Sequence, residues 1–346
     1  MTTRRVKWGI LVGLALACLL TRVAVAGTTI KITHTDPGRW TVSKSQAASE
    51  VFKSMVESGT GGSVKVEIYP AGQLGGEREH FEGVKIGTIE MTLVTESPVS
   101  QFFKPIMVLS IPYLFRSESV AWAVFDGPFG RDLAEAILKA TGARVLSYGE
   151  VGFRHFSNSK RALRKPEDLQ GLKIRVMESP IYMSMVKALG GSPIPIAFPE
   201  LYTSLQQGVV DGQENPVSTF VMNKFNEVQK FLSLDGHLYS TQLILINDRL
   251  YQSYPKDVRN LIAESARVCS TVSRGVQVTT SSLGVTEAME RGVQVYVPNT
   301  AEKEAFKKAA QGPVIDYLKK ELGPAGEQWM TKLFGAIREA EAKLGP

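Results

Sequence analysis

The stretch 171–216, GLKIRVMESPIYMSMVKALGGSPIPIAFPELYTSLQQGVVDGQENP, holds the residue best placed to do chemistry. Leu172, Ile174 and Val176 alternate with Lys173, Arg175 and Met177, the period-two pattern of a half-buried strand. Ser179 and Pro180 then supply a hydroxyl N-cap and a proline at the first helical position, and Gly190-Gly191 stops the helix after Leu189. Arg175 therefore falls at the C-terminal end of a strand, beside a helix N-terminus. Ligands of open α/β sheets bind at such a place. A fixed guanidinium next to free backbone N–H groups suits a carboxylate. The alternative is a surface strand residue in an ordinary ion pair.

Other chemistry is missing from the chain. Its histidines, His34, His80, His155 and His237, are far apart, and none forms an H-x-x-x-H pair. There is no G-x-S-x-G elbow, P-loop or G-x-G-x-x-G turn. No metal and no cofactor is expected. Cys269 lies on a predicted helix and reads as a small core residue, not a nucleophile.

The N-terminus sets the compartment. Arg4, Arg5 and Lys7 precede the uncharged apolar run 9–20, and Ala24-Val25-Ala26 is an A-x-A cleavage site. This is a secretory signal peptide over 1–26, and it predicts a periplasmic protein. The run is too short for a transmembrane helix. The leader carries Arg4, Arg5, Lys7 and Arg22, so the formal +6 falls by 4 to +2. A near-neutral chain without a basic stripe is not expected to bind nucleic acid. The remaining 346 − 26 = 320 residues are too many for one simple core and predict two domains.

The elements that must hold Arg175 can be read in order. Alternation predicts strands at 28–33, 64–68 and 89–94, with helices at 43–58 and from the 71–77 loop to Ile86. That succession means a parallel α/β sheet with right-handed crossovers. Helices are expected near 119–125 and 130–140, strands at 143–148 and 153–159, a helix over 218–230 and a returning strand at 241–246. Pro255 opens a helical pattern of about 30 residues, ~45 Å if continuous. It is either one helix spanning both domains or two broken at Gly275 or Gly284. A strand at 293–297 and two helices end the chain. The domains interlace, since no linker separates them.

Three segments carry a family likeness: F-R-H-F-S-N-S-K-R at 153–161, G-L-K-I-R-V at 171–176, and F-P-E-L-Y-T-S-L-Q-Q-G-V-V-D-G-Q-E-N-P at 198–216. The chain resembles the extracytoplasmic solute receptors of tripartite ATP-independent periplasmic (TRAP) transporters, in the dicarboxylate-receptor branch. The likeness runs over the whole mature chain, with Gly191 standing where alanine is common. It implies a two-lobed α/β periplasmic binding protein with interlaced domains, crossing hinge strands and a long helix spanning both lobes. Lobe I would comprise 27–151 plus 241–280, and lobe II 152–240 plus 281–346. Carried over by position, Arg175 resembles the carboxylate-clamping arginine, Arg154 its assistant, and Asn215 the amide that binds the same carboxylate. Phe198 matches an aromatic that packs on the ligand, and Glu96 a polar contact from the first lobe. His34 and Trp40 lie on a loop that often lines the cleft, and Gln242 starts the returning strand. Against these readings, Phe198 and Trp40 suit a core, Glu96 a turn cap, and Arg154 an ion pair with a neighbouring acid.

The function implied is a monomeric receptor that closes on a small organic acid anion and delivers it to the small and large TRAP membrane subunits. The acid is a C4-dicarboxylate, a uronate or another hydroxy or keto acid, and His34, Trp40, Glu96 and Tyr182 tilt the reading towards hydroxyls. The competing readings are a periplasmic enzyme using Glu96 or Glu214 as base, and a ligand-sensing module.

Overall fold

The computed structural model describes residues 28–345, so the leader lies outside it. The first wing forms as its patterning requires: β1 (Thr28–Thr33), α1 (Lys44–Gly59), β2 (Val64–Tyr69), α2 (Glu77–Ile86) and β3 (Met91–Thr95). Ser43 caps α1 by accepting from the Gln46 N–H at 3.1 Å. A single helical turn, α3 (Glu96–Val99), follows β3. Next come α4 (Glu118–Asp126) and α5 (Pro128–Thr141), the latter opened by proline at its first position.

Two strands expected at 143–148 and 153–159 are one, β4 (Ala143–Asn158). The segment between them holds a bulge, not a break. The register against its neighbour shifts between Glu150 and Gly152, and Gly152 sits at φ +98, a conformation open to glycine. The second wing is β5 (Lys173–Val176), α6 (Pro180–Ala188), β6 (Ser192–Pro195), α7 (Leu201–Gln206) and β7 (Gly212–Asn215). Ser179 precedes α6 as expected, but its hydroxyl lies 3.0 Å from the Ser100 hydroxyl and makes no cap bond.

The helix expected over 218–230 is only α8 (Val217–Met222). Lys224 turns the chain at φ +60, and a 17-residue strand, β8 (Phe231–Asn247), follows. The remaining elements are α9 (Asp248–Ser253), α10 (Lys256–Glu290), β9 (Gln294–Tyr296) and α11 (Thr300–Leu344). The long helix is continuous. Gly275 meets open space, and a Cβ on Gly284 would press on Val217 and Val221 of α8. Packing therefore outweighs the ~1 kcal/mol that each glycine costs a helix. At about 52 Å, α10 packs its first half on α1, where the Cys269 thiol meets the Ala48 carbonyl, and its second half on α8. The last pattern is two helices, divided at Gly323 (φ 57).

The strands form one sheet in the order β2-β1-β3-β8-β4-β7-β5-β6, with β9 on β8. Its flanks are parallel and its middle antiparallel. Thr241–Ile246, expected to return to the first sheet, does so as part of β8, whose residues 242–246 pair with β3. The other end of β8, 231–233, pairs with β9. So β4 and β8 cross together from one wing to the other. The fold is two-lobed, with crossing strands and a long helix joining the lobes. Its cores reflect this: one cluster joins Ile30, Phe52 and Val66 to Ile262, another joins Leu201, Phe220 and Leu232 to Ala288, and a third runs under the sheet between them. Gly212 is the glycine of D-G-Q-E-N-P, and a Cβ there would lie 2.3 Å from the Ser157 carbonyl oxygen. Only glycine lets β7 approach β4 this closely. Among the described residues no helix is long and apolar enough to cross a membrane.

Candidate functional site

Arg175 ends β5 inside a cleft where the two wings face each other. The residue is 1% exposed. Its Nε donates to the Ile196 carbonyl at 2.8 Å, while its buried Nη1 has no hydrogen-bond partner among the described residues. No carboxylate of the described residues forms an ion pair with it, although Glu214 acts on it from farther off. Burial, with Arg154 nearby, pulls its guanidinium down to about 10, still charged at neutral pH. Phe198 lies under the guanidinium at 5.8 Å. A buried cation with an unmet donor is a costly arrangement, and an anion relieves it.

Arg154 differs. It is equally buried but makes a two-pronged pair with Glu214: Nη2 to Oε1 at 2.9 Å, Nε to Oε2, and Nη2 also to the Glu214 carbonyl at 2.6 Å. Both residues come from paired strands, since β4 and β7 match Phe156 with Glu214. Behind Glu214 stands His237, its Nε2 3.5 Å from Oε2 and its Nδ1 2.9 Å from Asp235. Burial opposes charge on this imidazole, but Asp235 and Glu214 override it and push it up to about 9. The row reads Asp235 minus, His237 plus, Glu214 minus, Arg154 plus. Arg154 is thus held rigid and neutralised, which leaves Arg175 as the cation without an ion pair among the described residues lining the cleft. Asn215 completes this wall, its Nδ2 fixed by Gln213 Oε1 at 2.6 Å.

The opposite wall is polar and mixed in charge. Lys44 Nζ and Ser45 Oγ donate to Asp36 Oδ2 at 2.9 and 2.6 Å, and Gln242 Nε2 donates to Ser45 Oγ at 2.8 Å. Burial would raise the Asp36 carboxyl, but Lys44 and His34 more than offset it and hold it below the usual range. Glu77 accepts from the Thr95 N–H and hydroxyl. Its enclosed carboxyl is pushed up to about 7, chiefly by burial. The space left between the walls is about 40 Å³, so the two walls stand close together.

Of the residues named from the sequence, Arg175, Arg154, Asn215, Phe198 and Gln242 meet in this cleft. Three do not line it. Glu96 is buried behind the wall, accepting from Tyr182 Oη at 2.9 Å and Ser240 Oγ at 2.7 Å. That bond also removes Tyr182 as a hydroxyl reader. His34 is buried with its Nε2 3.0 Å from Gln46 Oε1. Trp40 is 64% exposed, outside the lining. Their loop does reach the cleft, through Thr35 and Asp36.

At the bulge of β4 another buried acid marks the crossing strands. Glu150 accepts from Trp122 Nε1 and from Tyr239 Oη (2.8 Å), and its Oε1 has no partner among the described residues. Burial pushes it up to about 7, against an ordinary 4.5. A raised folded pKa adds stability in full below about 4.5, and this is lost as pH rises through about 7. Glu150→Gln is therefore expected to gain ~1–3 kcal/mol over the parent on going from pH 5 to pH 8. Thermal melts at both pH values check this, and a parent–variant difference unchanged with pH would contradict it.

Residues 41–321 match the family model for bacterial extracellular solute-binding proteins, family 7. The chain belongs to this family. It is a TRAP solute receptor, a class of periplasmic proteins. The receptor is 41% identical over 240 residues to a solute-binding protein of Verminephrobacter eiseniae, covering 69% of this chain and 71% of that one. It is 32% identical over 280 residues to the C4-dicarboxylate-binding periplasmic protein of Rhodobacter capsulatus, covering 80% and 82%. Among solved structures it resembles the sugar acid binding protein of Advenella mimigardefordensis in complex with galactonate: TM-score 0.86, 30% identity, 91% and 99% of the two chains. A TRAP periplasmic solute-binding protein of a Polaromonas species bound to D-erythronate gives TM-score 0.82, 34% identity, 89% and 98%.

Sequence reasoning missed the receptor's Asp36, Lys44 and Glu77. Lys44 did leave a signal. It stands at the first position of α1, where the helix dipole disfavours a cation. A lysine there needs a nearby anion, and Asp36 lies eight residues upstream. Glu77 left none, because an acid in a first helical turn is ordinary.

Proposed function

We propose that this receptor closes its two lobes on a small hydroxylated organic acid, grips the carboxylate with Arg175, and passes it to TRAP membrane permease subunits. The unpartnered, buried Nη1 of Arg175 carries the reading. Arg154 and Asn215 flank it, Phe198 packs below, and Gln242 faces it from the other wall. An open cleft leaves the guanidinium hydrated. An anion makes its burial tolerable, so ligand favours the closed state, and this differential affinity drives closure. The lobes divide as 27–151 plus 241–280 and 152–240 plus 281–346. The opposite pairings of the two ends of β8 support this division.

The receptor works as a monomer and does no catalysis. Glu214, the base an enzyme would need, is tied to Arg154, and Glu96 is closed off behind Tyr182 and Ser240. The test is calorimetry with galactonate, D-erythronate, glucuronate and succinate, followed by recovery of the ligand after denaturation. Dissociation constants at or below the micromolar range, about −8 kcal/mol, with intact ligand returned, are expected for at least one acid. Turnover of the bound acid, or binding of none, would end this reading.

A further inference from the structure

We infer that the Asp36–Lys44 pair is a specificity device: it makes the wall opposite Arg175 accept hydroxyls and reject a second carboxylate. The inference rests on the proposed grip of one carboxylate by Arg175, and it concerns what the ligand carries at its other end.

Once Arg175 holds the carboxylate, the rest of the ligand points to the wall built by the β1–α1 loop and the start of α1. The only cation among the residues lining that wall is Lys44, and it is already neutralised by Asp36 at 2.9 Å. Both residues are almost fully buried, at 4% and 6% exposed. Ser45 adds a second donor to the same Oδ2 and is itself braced by Gln242, so the pair is fixed in place. A second carboxylate entering here would find its counter-charge spent. It would also face two acids, Asp36 and Glu77. An unpaired buried anion is heavily penalised.

A hydroxyl meets the opposite situation. It both donates and accepts. Lys44 has three N–H donors and uses one on Asp36, while Asp36 Oδ1 receives no hydrogen bond from the described residues. Glu77, enclosed and pushed up to about 7, is able to accept or donate near neutrality. The wall thus offers donors and acceptors side by side around an ion pair that carries no net charge, which fits the hydroxyls of a polyhydroxy monoacid.

Two ligand pairs isolate the question, because their members differ only at the far carbon: D-erythronate against meso-tartrate, and galactonate against galactarate. Calorimetry on the intact receptor is expected to show at least 100-fold preference for the monoacid in whichever pair binds better. In Asp36→Asn, which releases the charge of Lys44, that preference should fall at least tenfold through a gain in diacid affinity. In the double variant Asp36→Asn, Lys44→Gln the gain should vanish. Parent receptor that binds both members of the pair within tenfold would overturn the inference alone, whether or not the variants fold. A preference that moves less than threefold in folded Asp36→Asn would overturn it too. If the parent binds no organic acid at all, the reading beneath it fails as well.

Discussion

Arg175→Ala is expected to weaken binding of the cognate acid by at least ~2 kcal/mol, about 30-fold, because it truncates one side of a buried charge-assisted contact. Its effect on the ligand-free protein should be small, within about 1 kcal/mol. Arg175 is buried with an unmet donor and no acid partner, so removing it relieves an unfavourable charge while losing one bond to the Ile196 carbonyl. Affinity and stability should therefore separate. Calorimetry measures the first and a thermal melt of free protein the second. Unchanged affinity would remove Arg175 from the site. A collapse in stability would make it a structural residue.

Glu214→Gln should do the reverse. The parent pair satisfies Arg154 with two carboxylate contacts at zero solvent exposure on the acid. Deleting the charge strands a buried guanidinium and leaves His237 with Asp235 alone, and breaking such a pair typically costs ~3–5 kcal/mol. For a chain this long that lowers the melting temperature by about 5 °C or more. The pH dependence has a definite sign. Burial raises the Glu214 carboxyl, but Arg154 and His237 override it, so its folded pKa lies below the ordinary 4.5. Its stabilising contribution is present above about 4.5 and is lost as pH falls through the lower folded value. The gap between parent and variant should be widest near neutrality and close in acid. Equal melting temperatures at pH 7 would show that the row from Asp235 to Arg154 contributes nothing to the free protein.

These two arginines show how far the sequence could be read. Both were named as candidates, one at a strand end beside a helix start and one through the family likeness. Their difference was not. Arg154 pairs with an acid 60 residues away, and only the register of β4 against β7 brings them together. Likewise Glu96 and Tyr182 both looked able to serve a ligand. They meet each other across 86 positions and are lost to the cleft. The crossing strands were half legible: glycines at 149 and 152 look like a break to any local rule, but pairing with β8 carries one continuous strand through both, with a bulge just before Gly152. The start of β8 was hidden because a helix-like run leads into it and Lys224 turns the chain without glycine or proline.

Alone, the amino-acid order determined what local periodicity and short motifs encode. These are the period-two strands of both wings, the long helix as one of two possibilities, the D-G-Q-E-N-P segment as a family likeness, and Arg175 as a candidate for an anion site. Tertiary structure decided which charges are already spent. Electrostatic pairing acts through space at hydrogen-bond distance, and the order of residues along the chain does not fix which partners come that close. Asp36 neutralises Lys44 and Glu214 neutralises Arg154, while Arg175 forms no ion pair with the described residues and keeps an unmet donor.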